Sequence, residues 1–330
     1  MCCLLPLAAL LLLSIVPSVT EVVQSMSKCS EFLLEQTPPN VPGVLEGGEI
    51  LDKSRYKVIC QTLSNVRTFV TVYDTQNRIP VFSASKYTGV DGGKRPSPNW
   101  KIEPQLEDID SNKNMIPVSK NKTYNNQAGD NDYKDQTVYD RGHLFPCSYG
   151  ATENDRKATF TLTNIVPQEG IFNKGSWQKM ESCVKCVLDE YCKNNDITEG
   201  FLVIGAQPGN DKLKDRVNIP SMLWSAFCCY SQSENTWLAS AHWGENIKDS
   251  SEYLQTKTLA ELYKKLSTQD SVFEVFPGTQ CPLSTTVTQF YPKLKKTCQC
   301  PPLISTTSAS PTTTATSPVF FLFVFFPFFC

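Results

Sequence analysis

The chain has 330 residues, a formal net charge of −2 and only two histidines. A charge this close to zero excludes a protein that binds polyanions over its whole surface, so any nucleic-acid contact needs a local basic groove. Two histidines exclude a zinc site that is built from several imidazole ligands. Between its apolar ends the chain has roughly 280 residues, which can bury a substantial core and which we interpret as one domain.

Residues 1–20 are rich in leucine and end in small residues around Pro17 and Ser18. Such a segment is typical of a secretory signal that is removed after export, and we expect cleavage near Thr20. A single membrane anchor is the alternative, but the apolar run is shorter than the roughly 20 residues that a membrane-spanning helix needs. The run Asn121-Lys122-Thr123 is a glycosylation sequon in a polar stretch, as expected of an exported protein.

Alternating hydrophobic positions predict most of the strands, and one helical stripe predicts the longest helix. The stretch between Tyr87 and Tyr139 is polar and poor in large aliphatic residues, so we expect a long surface loop that wraps the core. The predicted elements, in chain order, are strands at 68–73, 79–83 and 160–165, a helix at 177–191, strands at 201–206, 223–230 and 236–243, and a helix at 259–266. This succession predicts an α+β fold with a central, mainly antiparallel sheet and flanking helices.

The composition changes towards the end of the chain. Residues 305–317 are rich in serine, threonine, proline and alanine, and residues 318–330 are almost entirely apolar. This order is typical of a lipid-anchor signal whose tail is removed, which would attach the protein to a membrane; an apolar tail without that role is the alternative. We therefore predict a signal at 1–20, a folded domain with a cysteine-rich C-terminal extension at 21–300, and a linker with an apolar tail at 301–330.

Eleven cysteines lie between Cys29 and Cys300, and behind a secretory signal they are expected to form disulfides. Because eleven is odd, at least one thiol is free or pairs between chains. Neighbouring side chains of a strand point to opposite faces, so we expect Cys228 and Cys229 to bond different partners. The spacing of Cys183 and Cys186 matches half of a zinc knuckle, but a second pair at similar spacing is absent and the expected compartment is oxidising.

Residues 140–143, Asp-Arg-Gly-His, follow the predicted loop and could form part of a site. Gly142 would let the backbone approach a ligand, and Arg141 could bind phosphate oxygens in front of the His143 imidazole. A surface histidine after a turn is the alternative interpretation of His143. We interpret the other histidine, His242, as a structural residue because it lies in a predicted strand among large apolar side chains.

Asn173 and Glu181 flank the start of the predicted helix. Asn173 could cap the helix N-terminus, or its amide oxygen could bind a hard cation such as Mg²⁺, which keeps most of its waters and takes few protein ligands. Glu181 lies two helical turns further on, and a solvated surface carboxylate is its alternative interpretation.

These residues resemble a known family when they are taken together. The order of Asp-Arg-Gly-His at 140–143, Leu-Thr-Asn-Ile-Val-Pro-Gln at 162–168, Asn-Lys-Gly-Ser-Trp at 173–177 and then Glu181 is similar to that of the DNA/RNA non-specific endonuclease family. The resemblance extends from about Arg67 to Trp243. It implies a ββα-metal catalytic finger beside the sheet and the hydrolysis of phosphodiester bonds in DNA and RNA, with little sequence preference.

The resemblance also implies a role for each site residue. His143 matches the general base, and Asn173 matches the single direct protein ligand of Mg²⁺ or another divalent cation. The positions that surround the metal, its waters and the scissile phosphate are matched by Arg141, Asn164 and Glu181. Asp140 is expected to orient the finger, and Arg95 is expected to bind the substrate phosphate, although extra residues separate it from Trp100.

Three functions compete at this point. The first is a secreted or surface-attached nuclease that contacts DNA and RNA through backbone phosphates. The second is a catalytically weak module that retains the nuclease fold and binds nucleic acid or protein, and the third is a disulfide-rich structural module. Because a decayed enzyme is free to lose its catalytic residues, the intact set of His143, Asn173 and Glu181 favours the nuclease.

Overall fold

The computed structural model describes residues 21–248 and 251–303, and seven of its strands form one antiparallel sheet. Each strand pairs with the next one along the chain, so the sheet is a continuous meander in sequence order. The strands are β1 Val22–Val23, β2 Tyr56–Leu63, β3 Val66–Asp74, β4 Ile79–Tyr87, β5 Gly200–Gln207, β6 Met222–Ser231 and β7 Thr236–Glu245. The predicted signal at 1–20 and the tail from residue 304 onward lie outside the described residues.

Both faces of the sheet are covered. Phe201 and Val203 of β5 pack into one apolar layer, and the alternate residues Leu202 and Ile204 pack into the other. This alternation follows from the pleat, which points successive side chains to opposite faces. The predicted hairpin at 68–83, the three later strands and the α+β class are confirmed.

The helices are short apart from the one that was predicted at 177–191. They are α1 Asp130–Tyr133, α2 Glu153–Ala158, α3 Gly170–Phe172, α4 Gln178–Tyr191 and α5 Leu259–Leu266. The buried stripe of α4 includes Met180, Val184 and Leu188, at the predicted spacing. The two longest helices lie on opposite faces of the sheet, because α4 belongs to one apolar layer and α5 to the other.

The connection from β4 to β5 contains a compact unit at residues 139–191, which we call the finger. Strands Tyr139–His143 and Ile165–Glu169 pair in antiparallel register, with Ile165 opposite His143. Helix α3 and a wide, irregular helical turn at Asn173–Trp177 then lead into α4. The order of two strands and a helix is the ββα arrangement that the resemblance implied.

The segment between Tyr87 and Tyr139 differs from the predicted surface loop. It buries Ile102, Met115 and Tyr124 against the sheet. A small ladder of Lys101–Ile102 with Ile116–Pro117 and helix α1 give it further structure. Further two-residue strands pair elsewhere as Leu45–Glu46 with Glu49–Ile50, Lys193–Asn194 with Ile197–Thr198, and Lys212–Leu213 with Val217–Asn218.

The predicted strand at 160–165 is wrong. Residues Leu162–Asn164 form a 3-10 turn, and the strand begins only at Ile165. The alternation of apolar residues and threonines suggested one buried and one solvated face, but Thr161 and Thr163 are both buried. Their hydroxyls hydrogen-bond to each other, and Thr163 also accepts from the buried Gln61 of β2. Hydrogen bonds inside the core therefore replace the expected solvent contacts.

Ten of the eleven body cysteines form disulfides, namely Cys29–Cys60, Cys183–Cys300, Cys186–Cys298, Cys192–Cys229 and Cys228–Cys281. The neighbours Cys228 and Cys229 bond different partners, as predicted. Cys147 is the odd cysteine and remains a buried thiol. Because Cys183 and Cys186 are both disulfide-bonded, they do not form a zinc knuckle. Within the described ranges, no helix is both long and apolar enough to span a membrane.

Candidate active site

Asn164 fixes the segment that follows His143. Its amide oxygen accepts hydrogen bonds from the backbone N–H of Phe145 and from the hydroxyl of Ser83, both at 3.0 Å. Its amide nitrogen donates to the carbonyl of Phe145 at 3.0 Å and to that of Thr159 at 3.2 Å. The side chain is fully buried and its hydrogen-bonding capacity is used. The structure therefore places Asn164 in the core, where it positions the His143 strand rather than surrounding the substrate.

His143 stands at the end of its strand in an aromatic setting. Its ring centroid lies 5.7 Å from that of Trp100 and 5.1 Å from that of Phe160. Burial and, to a smaller extent, the nearby charge of Arg95 lower the pKa of His143 to about 3. The buried Nε2 atom has no hydrogen-bond partner among the described residues. The imidazole is therefore neutral at physiological pH, which is the form that a general base requires.

Asn173 lies in the irregular turn between α3 and α4, and Asp140 orients its side chain. Its Nδ2 donates to Asp140 Oδ2 at 3.0 Å. Only the NH₂ of an amide can donate to a carboxylate, so this bond leaves Oδ1 for another partner. The N-cap alternative does not hold, because Asn173 has helical backbone angles at the end of α3, and α4 begins after Trp177 without a side-chain cap. Asp140 also pairs with Lys174 at 2.7 Å, so its carboxylate links the first strand of the finger to the turn that contains Asn173.

One cavity of about 470 Å³ brings the predicted site residues together. Its walls include all of the predicted site residues except Asn164, and these are Arg95, Arg141, His143, Asn173 and Glu181. The motifs at 140–143 and 173–177 and helix α4 contribute through the finger, whereas Arg95 reaches the cavity from the segment that follows β4. Five positions spread over 87 residues, from Arg95 to Glu181, therefore share one concave surface.

The two arginines of the cavity differ in how firmly they are held. Arg141 donates to Asp130 at 2.8 Å, and its guanidinium lies 4.9 Å from the ring centroid of Trp100. Arg95 lies over Phe160 at 5.1 Å and, among residues 21–248 and 251–303, has no carboxylate within ion-pair distance. Both present planar donors that suit phosphate oxygens, and only Arg95 has its charge uncompensated.

Glu181 projects from the first turn of α4 into the cavity. Burial raises the pKa of its carboxyl to about 8, against the opposing effects of Trp177 and Arg95. A positively charged ion or substrate group nearby would lower the pKa again by favouring the carboxylate. The ionisation of Glu181 is therefore set by what occupies the cavity.

The DNA/RNA non-specific endonuclease profile matches residues 47–275. The chain belongs to this family. The human Endonuclease domain-containing 1 protein is 30% identical over 213 residues, which cover 61% of this chain and 39% of that protein. A Serratia marcescens nuclease is 25% identical over 176 residues, or 51% of this chain and 59% of that protein.

Among solved structures, a chain in the crystal structure of the EndoG/EndoGI complex superposes with a TM-score of 0.44 at 16% identity. The superposition covers 62% of this chain and 84% of that chain. This chain spans less than two fifths of the mouse Endonuclease domain-containing 1 protein, 38% of its length.

The sequence and the structure give Gly142 different roles. The sequence suggested that this glycine lets the backbone approach a ligand. In the structure Gly142 is buried, and a Cβ atom there would lie 2.2 Å from Oε1 of Gln168 on the paired strand. The glycine is therefore required by packing inside the finger.

Several cavity residues were not anticipated from the sequence. They are Pro146, Cys147, Ser148, Lys174, Gln178, Ser182 and Lys185. Three of them share the cavity face of α4 with Glu181, because they lie three or four residues apart. The i, i+3, i+4 spacing around Glu181 was the signal that could have found them.

The donor set fits a hard divalent cation that takes one protein ligand. Across the described part of the chain, no three or more His, Cys, Asp or Glu side chains are grouped to hold a metal ion. The amide oxygen of Asn173 is oriented by Asp140 towards other partners, and amide oxygens are accepted ligands of Mg²⁺. Asn173 is the residue that would hold such an ion.

Proposed function

We propose that the protein is a secreted, Mg²⁺-dependent endonuclease that hydrolyses phosphodiester bonds in DNA and RNA. Family membership supports the nuclease reaction. The observation that carries the mechanism is the cavity that the neutral imidazole of His143 borders together with Asn173, Glu181 and Arg95.

His143 takes a proton from the attacking water as the general base, which contributes roughly 10²- to 10⁴-fold to the rate. Arg95 and Arg141 bind the oxygens of the scissile phosphate, where charge builds up in the transition state. Glu181 lines the same cavity, and a bound cation would favour its ionised carboxylate. These contacts are to the backbone of the substrate, and contacts of that kind carry no sequence information.

Asn173 would hold the divalent cation through its amide oxygen, and Asp140 orients that amide by accepting from Nδ2. When bound, the cation stabilises negative charge on the phosphate and on the leaving oxygen. A neutral protein ligand suits this chemistry, since the substrate phosphate itself provides negative charge.

The proposed location is outside the cell. Five disulfides indicate an oxidising compartment. The sequon residue Asn121 is exposed and accessible to glycosylation. We propose further that residues 1–20 are removed as a signal and that the apolar tail is exchanged for a lipid anchor. The anchor would attach the protein to the cell surface.

The test uses the full chain, purified with its disulfides from a secreting host. Plasmid DNA and RNA are incubated with it in Mg²⁺ and in a chelator, beside His143→Ala, Asn173→Ala and the control Asn210→Ala, which alters an exposed asparagine outside the cavity. We expect cleavage in Mg²⁺ only, at least a 100-fold loss in the two site variants and wild-type activity in the control. Cleavage in the chelator or by His143→Ala would contradict the mechanism. Nucleic-acid binding without cleavage by the wild type would favour the binding module.

A further inference from the structure

The active-site cavity continues into a second lobe. This lobe has a volume of about 280 Å³ and shares four lining residues with the active-site cavity, namely Arg95, Cys147, Ser148 and Lys185. Its remaining walls are backbone and small or apolar residues around Val90, Gly92 and Gly150, together with Arg156. The shared residues make the two spaces one groove that runs past Arg95.

The second lobe is lined by three cationic side chains and by no carboxylate. The cations are Arg95, Arg156 and Lys185. The guanidinium of Arg156 is buried and donates to Asp91 at 2.6 Å, but its Nε has no hydrogen-bond partner in the described structure. The same guanidinium also donates to the second carboxylate oxygen of Asp91 at 3.3 Å and to the carbonyl of Gly150 at 3.2 Å, which hold it in place at the wall of the lobe.

Lys185 is held in place at the junction of the two lobes. Its ammonium pairs with Oδ2 of Asp189 at 2.5 Å, and the hydroxyl of Tyr87 donates to Oδ1 of the same carboxylate at 2.5 Å. An ammonium has three donors and one is used for this pair. Lys185 also lies one helical turn beyond Glu181 on α4, so it borders the active-site cavity as well.

We propose that the second lobe binds the phosphate of the nucleotide next to the one that is cleaved, with Lys185 and Arg156 as its contacts and Arg95 between the two phosphates. The proposal rests on the nuclease function and deepens it. A polynucleotide carries one negative charge per nucleotide, so a groove with cations on both sides of Arg95 matches two successive phosphates. Substrates with a second phosphate on the correct side are therefore bound more tightly than substrates with one.

The test compares thymidine dinucleotides that have the same scissile bond and either no terminal phosphate, a 5′-phosphate or a 3′-phosphate. For the wild type at low salt, one of the two terminal phosphates should raise kcat/KM about 10-fold, the value of one charged hydrogen bond. Lys185→Ala should lose that preference.

Lys179→Ala is the matched control. Lys179 lies on the same helix, pairs with Glu252 at 3.1 Å, and has a side-chain exposure of 29%, against 24% for Lys185. It also lies near a tyrosine ring, as Lys185 does, but it lines neither lobe. This variant should keep the wild-type preference.

The proposal is overturned if neither terminal phosphate improves cleavage, if Lys185→Ala keeps the preference, or if Lys179→Ala loses it equally. If the wild type cleaves plasmid DNA but none of the dinucleotides, equilibrium binding of the same set decides the subsite. If it cleaves neither, the nuclease function fails, and the same binding comparison still decides the subsite. About 10-fold tighter binding of one phosphorylated dinucleotide, abolished by Lys185→Ala, supports the subsite. Equal binding of all three dinucleotides overturns it.

Discussion

The finger and the central sheet are held by different interactions. In the finger, the buried amide of Asn164 uses four hydrogen bonds, and Asp140 holds the amide of Asn173. The sheet lies between two apolar layers, and three of its cysteines are bonded to segments outside it. Hydrogen bonds have strict geometry, whereas apolar cores accept small rearrangements. Hydrogen bonds therefore fix the site atoms of the finger, whereas burial and disulfides stabilise the sheet and also α4, whose Cys183 and Cys186 are disulfide-bonded.

The two histidines show the same contrast. Burial lowers the pKa of His242 in β7 to about 3, the value that His143 also has. The Nε2 of His242 lies 3.2 Å from the hydroxyl of Thr256. The Nε2 of His143 has no hydrogen-bond partner among the described residues, and His143 borders the cavity. Burial thus makes both imidazoles neutral, but only the histidine at a cavity can act as a base.

Replacing Asn164 should have the largest effect. Asn164→Ala leaves the N–H and carbonyl of Phe145 and the carbonyl of Thr159 without their buried partner. We expect the free energy of unfolding to fall by about 4 kcal/mol in denaturant titrations. Asn210→Ala at an exposed position should stay within about 0.5 kcal/mol. A loss below about 1 kcal/mol for Asn164→Ala would show that the finger does not depend on this amide.

The stabilisation that the two disulfides of α4 provide should depend on whether one or both are removed. Cys183–Cys300 and Cys186–Cys298 close nearly the same loop, with sequence separations of 117 and 112 residues. Replacing both pairs with alanine should lower the free energy of unfolding by about 3 kcal/mol. Replacing one pair should cost less than about 1 kcal/mol, since the other still closes the loop. Equal and additive losses for the two pairs would contradict this interpretation.

Asp140→Ala should separate activity from stability. Without the carboxylate, the amide of Asn173 loses its orientation, and the concentration of Mg²⁺ for half-maximal cleavage should rise 10- to 100-fold, as is typical when a partner of a metal ligand is removed. Thermal unfolding should change little. Asp140→Asn is the conservative control, since its carbonyl oxygen can still accept from Asn173 Nδ2. An unchanged Mg²⁺ requirement in Asp140→Ala would argue against Asn173 as the ligand.

The smallest effect concerns pH. The pKa of His242 is lowered in the folded state, so its contribution to stability is present above the unfolded pKa of about 6.5 and is lost as pH falls towards 3. Each such histidine should lower the free energy of unfolding by about 1.4 kcal/mol per pH unit in that window. His242→Gln should flatten the dependence by this amount in denaturant titrations between pH 6.5 and 5. An unchanged slope would mean that His242 is not buried in neutral form.

Much of the fold followed from periodicity in the sequence. The strands around 68–83 and 201–243 and the helix at 177–191 each bury a regular pattern, so local rules were sufficient. The prediction for 160–165 failed, because its polar side chains bond to distant parts of the chain. Thr163 accepts from Gln61 of β2, 102 residues away, and Asn164 accepts from Ser83 of β4, 81 residues away. The packing of 88–138 onto the sheet likewise depends on contacts that no local pattern contains.

The site could be predicted as a set of residues but not as an arrangement. Motif order linked His143, Asn173 and Glu181, and the structure places them around one cavity. The sequence could not distinguish an Asn164 that contacts the substrate from one that is buried in the core, because an asparagine amide can form hydrogen bonds in either place. Trp100 was noted only as a landmark, although its ring packs against both His143 and Arg141.

The disulfides also affect how the domain can be produced. The family match ends at residue 275, yet Cys183, Cys186 and Cys228 bond to Cys300, Cys298 and Cys281 beyond that point. A gene that ends at residue 275 would leave Cys183, Cys186 and Cys228 without their partners. These three thiols would add to the free thiol of Cys147. Four thiols in an oxidising secretory pathway invite mispaired chains and cross-linked aggregates. The unit to express is therefore set by Cys300, the last disulfide-bonded cysteine of the described residues, and not by the limits of homology.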